Sequence, residues 1–211
     1  MKYKFNPPGI LKFMFSDFYW TTNNDKLLLT FDDGPIPDNT YQILNFLKSN
    51  NIKALFFCVG NNIRKYPEIA KSILDEGHTI GNHMYNHTNI RTVAKSETQK
   101  EIDQFNKITL KELNYKTEFF RPPHGRFNLA TSGLMKQNKL KNVMWSLLSY
   151  DYKNDKNIVK FALENFLMKN SILVFHDNIS SQPIIIDCLE FLVKEAEKKG
   201  FEFGDPAECL K

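Results

Sequence analysis

Two adjacent carboxylates, Asp32 and Asp33, stand shortly after the apolar run 27–29 and directly before Gly34 and Pro35. Neighbouring residues of an extended chain point to opposite sides, so one carboxylate can bind a cation while the other contacts a bound water. All the residue types from 32 to 35 also favour turns. A simple turn without a chemical role is therefore the alternative interpretation.

Two histidines, His83 and His87, are separated by four positions. This spacing puts both imidazoles on one side of a helical turn, and it recurs among ligands of divalent metal ions. Two exposed surface histidines are the alternative, because Gly81 and Asn82 favour a loop. Two histidines and one carboxylate would leave coordination positions open for water and substrate, as hydrolytic zinc sites require.

The segment 121–125 reads Arg-Pro-Pro-His-Gly and follows the aromatic pair Phe119 and Phe120. Two prolines fix the backbone and remove two N–H donors, so this segment is predicted to form a rigid loop. Arg121 is a candidate partner for a carboxylate, and a backbone N–H beyond the prolines is a candidate donor to an oxyanion. A plain connector with a solvated Arg121 is the alternative.

Asp151 and His176 complete the set of candidate residues. His176 ends the apolar run 172–175, and Asp151 follows the segment 147–150. A histidine in such a place is usually a satisfied core or rim residue, and such an aspartate is usually a solvated loop acid. Neither residue indicates chemistry by itself.

Short apolar or β-branched runs alternate with longer amphipathic segments, which is typical of an α/β fold. The predicted strands cover residues 26–31, 53–59, 78–81, 118–120, 142–147, 171–175 and 201–203. The predicted helices cover residues 39–49, 67–76, 96–113, 129–139, 157–168 and 183–199. About seven strands alternating with helices, and no linker in 211 residues, predict a single domain that forms a closed or nearly closed βα barrel rather than an open doubly wound sheet.

Most of the candidate residues lie where a predicted strand ends. Asp32 follows the first strand, His83 the third, Arg121 the fourth and His176 the sixth. A barrel of parallel strands gathers these ends on one face. The sequence therefore predicts one site that combines them.

Taken together, these segments resemble the five motifs of the polysaccharide deacetylase family, also called the NodB-homology domain or carbohydrate esterase family four. The segment 30–35, Thr-Phe-Asp-Asp-Gly-Pro, reproduces the first motif in full. His83 and His87 match the second motif, and the match spans nearly the whole chain. The resemblance implies a distorted (β/α) barrel of about seven units that binds a divalent metal ion.

The resemblance also implies a role for each candidate residue. Asp32 would be the general base, and Arg121 would orient it. The metal ligands would be Asp33, His83 and His87.

Three further residues would complete the catalytic set. The resemblance implies that the backbone N–H of His124 helps to stabilise the oxyanion. His176 would be the general acid, and Asp151 would tune its protonation.

The resemblance further implies that Leu173 and Tyr152 line the pocket for the acetyl methyl group, and Pro123 is assigned to substrate binding with them. The sequence departs from the family pattern at four places. Met84 replaces the usual Ser or Thr, His124 stands where Tyr is frequent, Leu148 stands where Asp is frequent, and Tyr152 replaces Trp. These departures concern the shape of the substrate groove, whereas the catalytic set is complete.

The function predicted from this resemblance is metal-dependent hydrolysis of the N-acetyl group of an amino sugar such as N-acetylglucosamine, within an oligo- or polysaccharide. Zinc suits a nitrogen-rich site with few ligands best, and nickel and cobalt also suit imidazole ligands. Two alternatives stay open. One is a metal-dependent amidase for a non-sugar C–N bond, and the other is a non-catalytic glycan-binding protein.

The chain carries 28 basic and 24 acidic residues, a net charge of +4, and its lysines are scattered rather than gathered in one block. No nucleic acid partner is therefore expected. Three cysteines at wide spacings predict free thiols rather than a disulfide framework. The expected partner is an acetylated glycan, and the oligomeric state is left open.

Residues 1–24 are predicted to form an N-terminal extension that packs on the domain. Met1–Trp20 contains only short apolar runs and no small-residue cleavage site, so neither a signal peptide nor a transmembrane span is expected. Its aromatic residues leave open a weak peripheral contact with a membrane. A cytoplasmic location is expected from the missing signal peptide.

Overall fold

The computed structural model describes residues 3–211, and within them eight strands form one curled sheet. The strands are β1 (Lys26–Asp32), β2 (Ala54–Cys58), β3 (Thr79–Asn82), β4 (Phe119–Phe120), β5 (Lys141–Asn142), β6 (Leu147–Leu148), β7 (Ile172–His176) and β8 (Glu202–Phe203). They pair in parallel in the order β5-β4-β3-β2-β1-β7-β6, and β8 pairs with the start of β1. The predicted single-domain distorted (β/α) barrel is confirmed.

Helices cover the outside of this sheet. They are α1 (Gly9–Met14), α2 (Asn39–Ser49), α3 (Gly60–Lys65), α4 (Pro67–Asp75), α5 (Lys95–Leu113), α6 (Leu129–Gln137), α7 (Lys156–Phe166), α8 (Ile185–Lys199) and α9 (Pro206–Cys209). The six predicted helices correspond to α2 and to α4 through α8. Helix α3 is not predicted because its sequence, Gly-Asn-Asn-Ile-Arg-Lys, is short and mostly polar.

The predicted strand 142–147 is wrong as a continuous element, because the chain forms β5 and β6 with a break between them. β5 pairs with β4 and β6 pairs with β7, so this one segment joins both edges of the curled sheet. In the break, the carbonyl oxygens of Val143 and Met144 accept hydrogen bonds from the Arg121 side chain. These carbonyls bind a guanidinium, and the segment thereby closes the barrel around Arg121.

Alternation along β1 decides which side chains face the interior of the barrel. Leu29 and Phe31 lie in the large apolar cluster beneath the helices, whereas Leu28 lies in a smaller cluster inside the sheet. Successive side chains of a strand point to opposite faces, so Thr30 and Asp32 share the inner face with Leu28. The last residue of β1 therefore presents its carboxylate at the mouth of the barrel.

The described part of the predicted extension 1–24 packs on the domain, while its first two residues lie outside the described residues. Tyr19 exchanges backbone hydrogen bonds with the 142–144 segment, and Phe15, Phe18 and Trp20 pack against Met144. No helix of residues 3–211 combines the length and apolar character needed to cross a membrane.

Helix α1, within this extension, leaves apolar side chains uncovered. Phe13 is 83% exposed, and Ile10 and Met14 are also exposed. The weak peripheral contact with a membrane stays a prediction.

Candidate active site

A buried ion pair holds Asp32 in place. Arg121, which is fully buried, donates from Nη1 to Asp32 Oδ1 at 2.8 Å and to Thr30 Oγ1 at 2.6 Å. Its Nε and Nη2 donate to the carbonyl oxygens of Val143 and Met144 at 2.9 and 2.7 Å. A guanidinium bonded on all sides cannot rotate, so Asp32 is fixed in orientation through its Oδ1.

Three side chains from two strand ends form a candidate metal triad, namely Asp33, His83 and His87. Their donor atoms lie within 4.8 Å of one another. Asp33 Oδ1 is 3.1 Å from His87 Nε2 and 3.7 Å from His83 Nε2, while Asn178 Nδ2 donates to Asp33 Oδ2 at 2.8 Å. Asp33 and His87 have φ values of 81° and 60°, a conformation uncommon for residues other than glycine and frequent at functional sites.

The protonation states of His83 and Asp33 suit metal binding. The Nδ1–H of His83 donates to the carbonyl oxygen of Arg121 at 2.8 Å, which leaves the Nε2 lone pair on the side of Asp33. Burial lowers the pKa of His83 to about 4. Burial opposes ionisation of Asp33, but its hydrogen bond to His87 and the nearby histidines hold its pKa below the ordinary range.

Neutral imidazoles and an ionised carboxylate are the forms in which these groups bind metals. The backbone carbonyl behind His83 is the usual outer partner of a ligating histidine. Two nitrogens and one oxygen on neighbouring loops therefore fit a divalent cation with open positions.

A second buried pair joins His176 to Asp151. His176 Nδ1 donates to Asp151 Oδ1 at 2.7 Å, and the His176 backbone N–H donates to Asp151 Oδ2 at 2.7 Å. Ser149 Oγ also donates to Asp151 Oδ1, at 2.9 Å. Burial opposes the charged imidazolium, but the charge and hydrogen bond of Asp151, with help from Asp33 and Asp32, raise the pKa of His176 to about 9. His176 is therefore protonated and able to donate a proton at neutral pH.

These groups surround one cavity of about 370 Å³ at the mouth of the barrel. Its lining comprises Asp32, Asp33, His83, His87, His124, Gly125, Trp145, Leu148, Tyr152, Val174, His176, Asn178 and Ser180. The lining combines the carboxylates, imidazoles and one amide with the apolar side chains of Trp145, Leu148, Tyr152 and Val174. The cavity can therefore hold a ligand with both a polar reacting group and an apolar substituent.

Two predicted substrate-binding residues do not line this cavity. Leu173 lies with Phe175 in the cluster beneath the helices, whereas Val174 and His176 face the cavity. The alternation of β7 accounts for this, because residues two apart share one face of a strand. Val174 therefore takes the place in the cavity lining that was predicted for Leu173. Pro123 is buried in its loop and does not line the cavity, and its contact with substrate stays a prediction.

The loop 123–125 contributes His124 and Gly125 to the lining of this cavity. His124 has a φ of 58°, and its ring lies edge-on to His87, with the ring centres 4.5 Å apart. Among residues 3–211, the N–H groups of Gly125 and Arg126 donate to preceding carbonyls, whereas the His124 N–H has no acceptor. Gly125 has a φ of 62°, and a Cβ there would lie 2.2 Å from Trp145. The close fit of Gly125 on Trp145 thus holds the loop in a conformation that leaves one N–H free.

A further buried carboxylate, Asp177, braces the turn that carries Asp33. The Asp177 N–H donates to the Asp32 carbonyl at 2.8 Å, and Thr40 Oγ1 donates to Asp177 Oδ2 at 2.5 Å. A Cβ on Gly34 would lie 2.2 Å from Asp177 Oδ2, so only glycine fits beneath this carboxylate. Burial raises the pKa of Asp177 to about 7, and the charge of Asp33 adds to this.

Several cavity residues were not predicted. Val174 could have been found from His176 by the two-residue period of a strand. Asn178 follows His176 by two positions, in a loop at the same barrel face. Trp145 and Ser180 carry no pattern that separates them from ordinary strand and loop residues.

Comparison with known proteins places this arrangement in a family. Residues 20–143 match the family model described as polysaccharide deacetylase. A peptidoglycan-N-acetylglucosamine deacetylase of Bacillus cereus is 33% identical over 183 residues, covering 86% of this chain and 66% of that protein. A second such deacetylase of Bacillus cereus is 30% identical over 194 residues, covering 90% of each chain.

A solved structure supports the same grouping. The crystal structure of a peptidoglycan N-acetylglucosamine deacetylase superimposes with a TM-score of 0.88 at 27% identity, covering 96% of both chains. The shared fold thus agrees with the family match over residues 20–143, which is more than half of the chain. This chain therefore belongs to the polysaccharide deacetylase family.

Proposed function

We propose that this protein is a metal-dependent deacetylase that hydrolyses the N-acetyl group of N-acetylglucosamine units in a peptidoglycan-type glycan. The observation that carries the proposal is the meeting of three groups around one cavity. These groups are the oriented carboxylate of Asp32, the candidate metal triad, and the protonated His176. A protein that only binds a glycan needs neither an oriented general base nor a general acid with a raised pKa beside the bound ligand.

The chain's own residues can perform both proton transfers of amide hydrolysis. Asp32 accepts a proton from the attacking water, and its ion pair with Arg121 keeps it oriented. Attack on the acetyl carbonyl gives a tetrahedral oxyanion, to which the free N–H of His124 donates a hydrogen bond. His176 then protonates the departing amine nitrogen, the C–N bond breaks, and acetate and a free amino sugar leave.

The metal ion would be held by Asp33, His83 and His87. When bound, it would supply a Lewis acid that polarises the acetyl carbonyl and lowers the pKa of water. Zinc fits this donor set best, and nickel and cobalt also suit its imidazoles.

The apolar side chains of the cavity support an acetyl group as the group that is removed. Trp145, Leu148, Val174 and Tyr152 lie on the same cavity as His176, and the Tyr152 ring is edge-on to the His176 ring with centres 4.7 Å apart. A methyl group gains free energy when it is buried among such side chains. A sugar can remain in the open part of the cavity while its acetyl group is buried.

Acetate release tests this proposal. Protein loaded with zinc is incubated separately with oligomers of N-acetylglucosamine and with peptides carrying acetyl-lysine, and the products are followed by mass spectrometry. We expect losses of acetyl groups from the oligomers and none from the peptides. Turnover of the peptides alone would favour a non-sugar amidase, and glycan binding without turnover would favour a non-catalytic glycan-binding protein.

A further inference from the structure

Glu101 is a buried carboxylate on α5 that is only 3% exposed. Its Oε2 accepts the backbone N–H of Asn86 at 2.9 Å, and its Oε1 accepts the hydroxyl of Thr88. These two donors stand on either side of His87 in the chain, within the segment 83–88 that we call the His87 loop. One carboxylate thus holds both neighbours of a member of the candidate metal triad.

No positive charge accounts for the burial of Glu101. Glu195, a buried glutamate on α8, pairs with two lysines, whereas Glu101 has no ion-pair partner among residues 3–211. A buried carboxylate is costly unless a cation or hydrogen bonds replace its lost hydration. The polar interactions that compensate Glu101 are therefore its two hydrogen bonds to the His87 loop.

The two halves of the His87 loop are held by different elements. Backbone N–H groups at the start of α3 donate to the carbonyls of Met84 and Tyr85 at 3.0 and 2.9 Å. In the part of the chain that the structure describes, the backbone of 86–88 makes its one hydrogen bond to another element at Glu101, and the Thr88 hydroxyl adds a second bond there. Glu101 is therefore the hydrogen-bonding anchor of the half that carries His87.

The His87 loop has a backbone conformation that needs such an anchor. Met84 and His87 have positive φ values of 66° and 60°, which are uncommon for residues with a side chain. Met84 shares a buried apolar cluster with Ile102, the residue that follows Glu101 on α5. The helix therefore packs against the loop and presents the carboxylate from a fixed position.

We infer that Glu101 is a positioning residue that holds the His87 loop in its metal-binding conformation. This inference rests on the proposed function, in which His87 is a metal ligand. By accepting a bond on each side of His87, the carboxylate restricts the rotations that would turn the imidazole away from the other two ligands. The sequence pattern gives no indication of this role, because Glu101 lies within an ordinary amphipathic helix.

Zinc affinity measured by competition with a chromophoric chelator tests the inference without an activity assay. Glu101→Ala should weaken zinc binding about 10–100-fold, comparable to the loss of an outer partner of a metal ligand. Glu101→Gln should restore affinity to within about threefold of the wild type, because the amide oxygen can accept from Asn86 while the amide nitrogen donates to the Thr88 hydroxyl oxygen.

Amide hydrogen exchange of the metal-free protein gives a second readout at the loop itself. The Asn86 N–H donates to Glu101, so it should exchange faster in Glu101→Ala and keep most of its protection in Glu101→Gln. The amides of β7 report any change in global stability. Faster exchange at Asn86 beyond the change seen in β7 would show that the carboxylate acts locally on the loop.

The matched control is Glu195→Ala, which removes a buried helical glutamate that bonds to Lys198 on α8. It should lower stability without weakening zinc binding. Thr88→Val removes one of the two bonds while keeping the shape of the side chain, and it decides the matter if Glu101→Ala does not fold. It should weaken zinc binding about 2–10-fold, the equivalent of one hydrogen bond.

Unchanged zinc affinity in Glu101→Ala or in Thr88→Val, or equal weakening in Glu195→Ala, would overturn the positioning role. Zinc binding by Glu101→Gln as weak as that of Glu101→Ala would do so too, because the two hydrogen bonds would then not be what holds the loop. Failure of the proposed function gives a different result. A wild type that binds no zinc, or a His87→Ala variant that binds zinc as tightly as the wild type, would remove the metal site itself.

Discussion

Replacing Asp151 by Asn removes the charge beside His176 and keeps the shape of the side chain. Asp151 lies within 2.7 Å of both the ring Nδ1 and the backbone N–H of His176. Its charge favours the imidazolium, so His176 stays protonated up to a pKa of about 9. As the general acid, His176 must be protonated, and activity should therefore fall as pH rises through that value.

The size of the expected change follows from the two pKa values. Without Asp151, burial opposes the imidazolium more strongly than the remaining charges favour it, and the pKa of His176 should fall from about 9 to about its ordinary 6.5. That difference corresponds to about 3 kcal/mol of interaction with the charged form. At pH 8 the protonated fraction then falls about 30-fold, whereas at pH 6 it changes by less than about twofold.

The assay is kcat for acetate release as a function of pH. In Asp151→Asn the alkaline limb should move to lower pH, and in His176→Ala the limb should disappear with a severe loss of rate. Asp187→Asn, which alters an exposed carboxylate paired with Lys156, should leave the limb in place. An unmoved limb in Asp151→Asn, at normal metal content, would refute the coupling and assign the limb to another group.

Three further predictions concern the metal, the ion pair and the strand. Alanine at any member of the candidate metal triad should abolish metal retention, and full occupancy by elemental analysis after dialysis would remove that residue from the site. Arg121→Met should lower the free energy of unfolding in urea by about 3–5 kcal/mol, because it leaves Asp32 buried without its partner; a change below about 1 kcal/mol would contradict this. Leu173→Ala should lower the unfolding free energy by about 2–5 kcal/mol with KM unchanged. Val174→Ala should instead raise KM. The reverse pattern would show that Leu173, and not Val174, lines the cavity.

The site residues at the strand ends could be predicted because these polar residues directly follow apolar runs. In a parallel barrel those ends share one face, so the meeting of Asp32, His83, Arg121 and His176 follows from topology. The predicted partnership of Asp151 with His176 depended on the family resemblance. No local pattern brings a loop residue 25 positions earlier beside a strand end.

The remaining features depend on tertiary contacts that leave no local trace. The break between β5 and β6 exists because the Arg121 guanidinium takes two carbonyls that a regular strand would pair. The burial of Pro123 depends on how its loop packs against the rest of the domain. Leu173 is different, because the two-residue period counted back from His176 already assigns the inner face to Val174.

The most direct test of the account compares the wild type with Asp32→Asn, both loaded with zinc and given the N-acetylglucosamine tetramer. The amide can occupy the volume of the carboxylate and keep the bond to Arg121, but it cannot accept a proton from water. We expect equal metal content in the two proteins and acetate release slower by about 10²–10⁴-fold in the variant. Chelation should stop release by the wild type, and added zinc should restore it. Near-normal release by Asp32→Asn at full metal content would contradict the account.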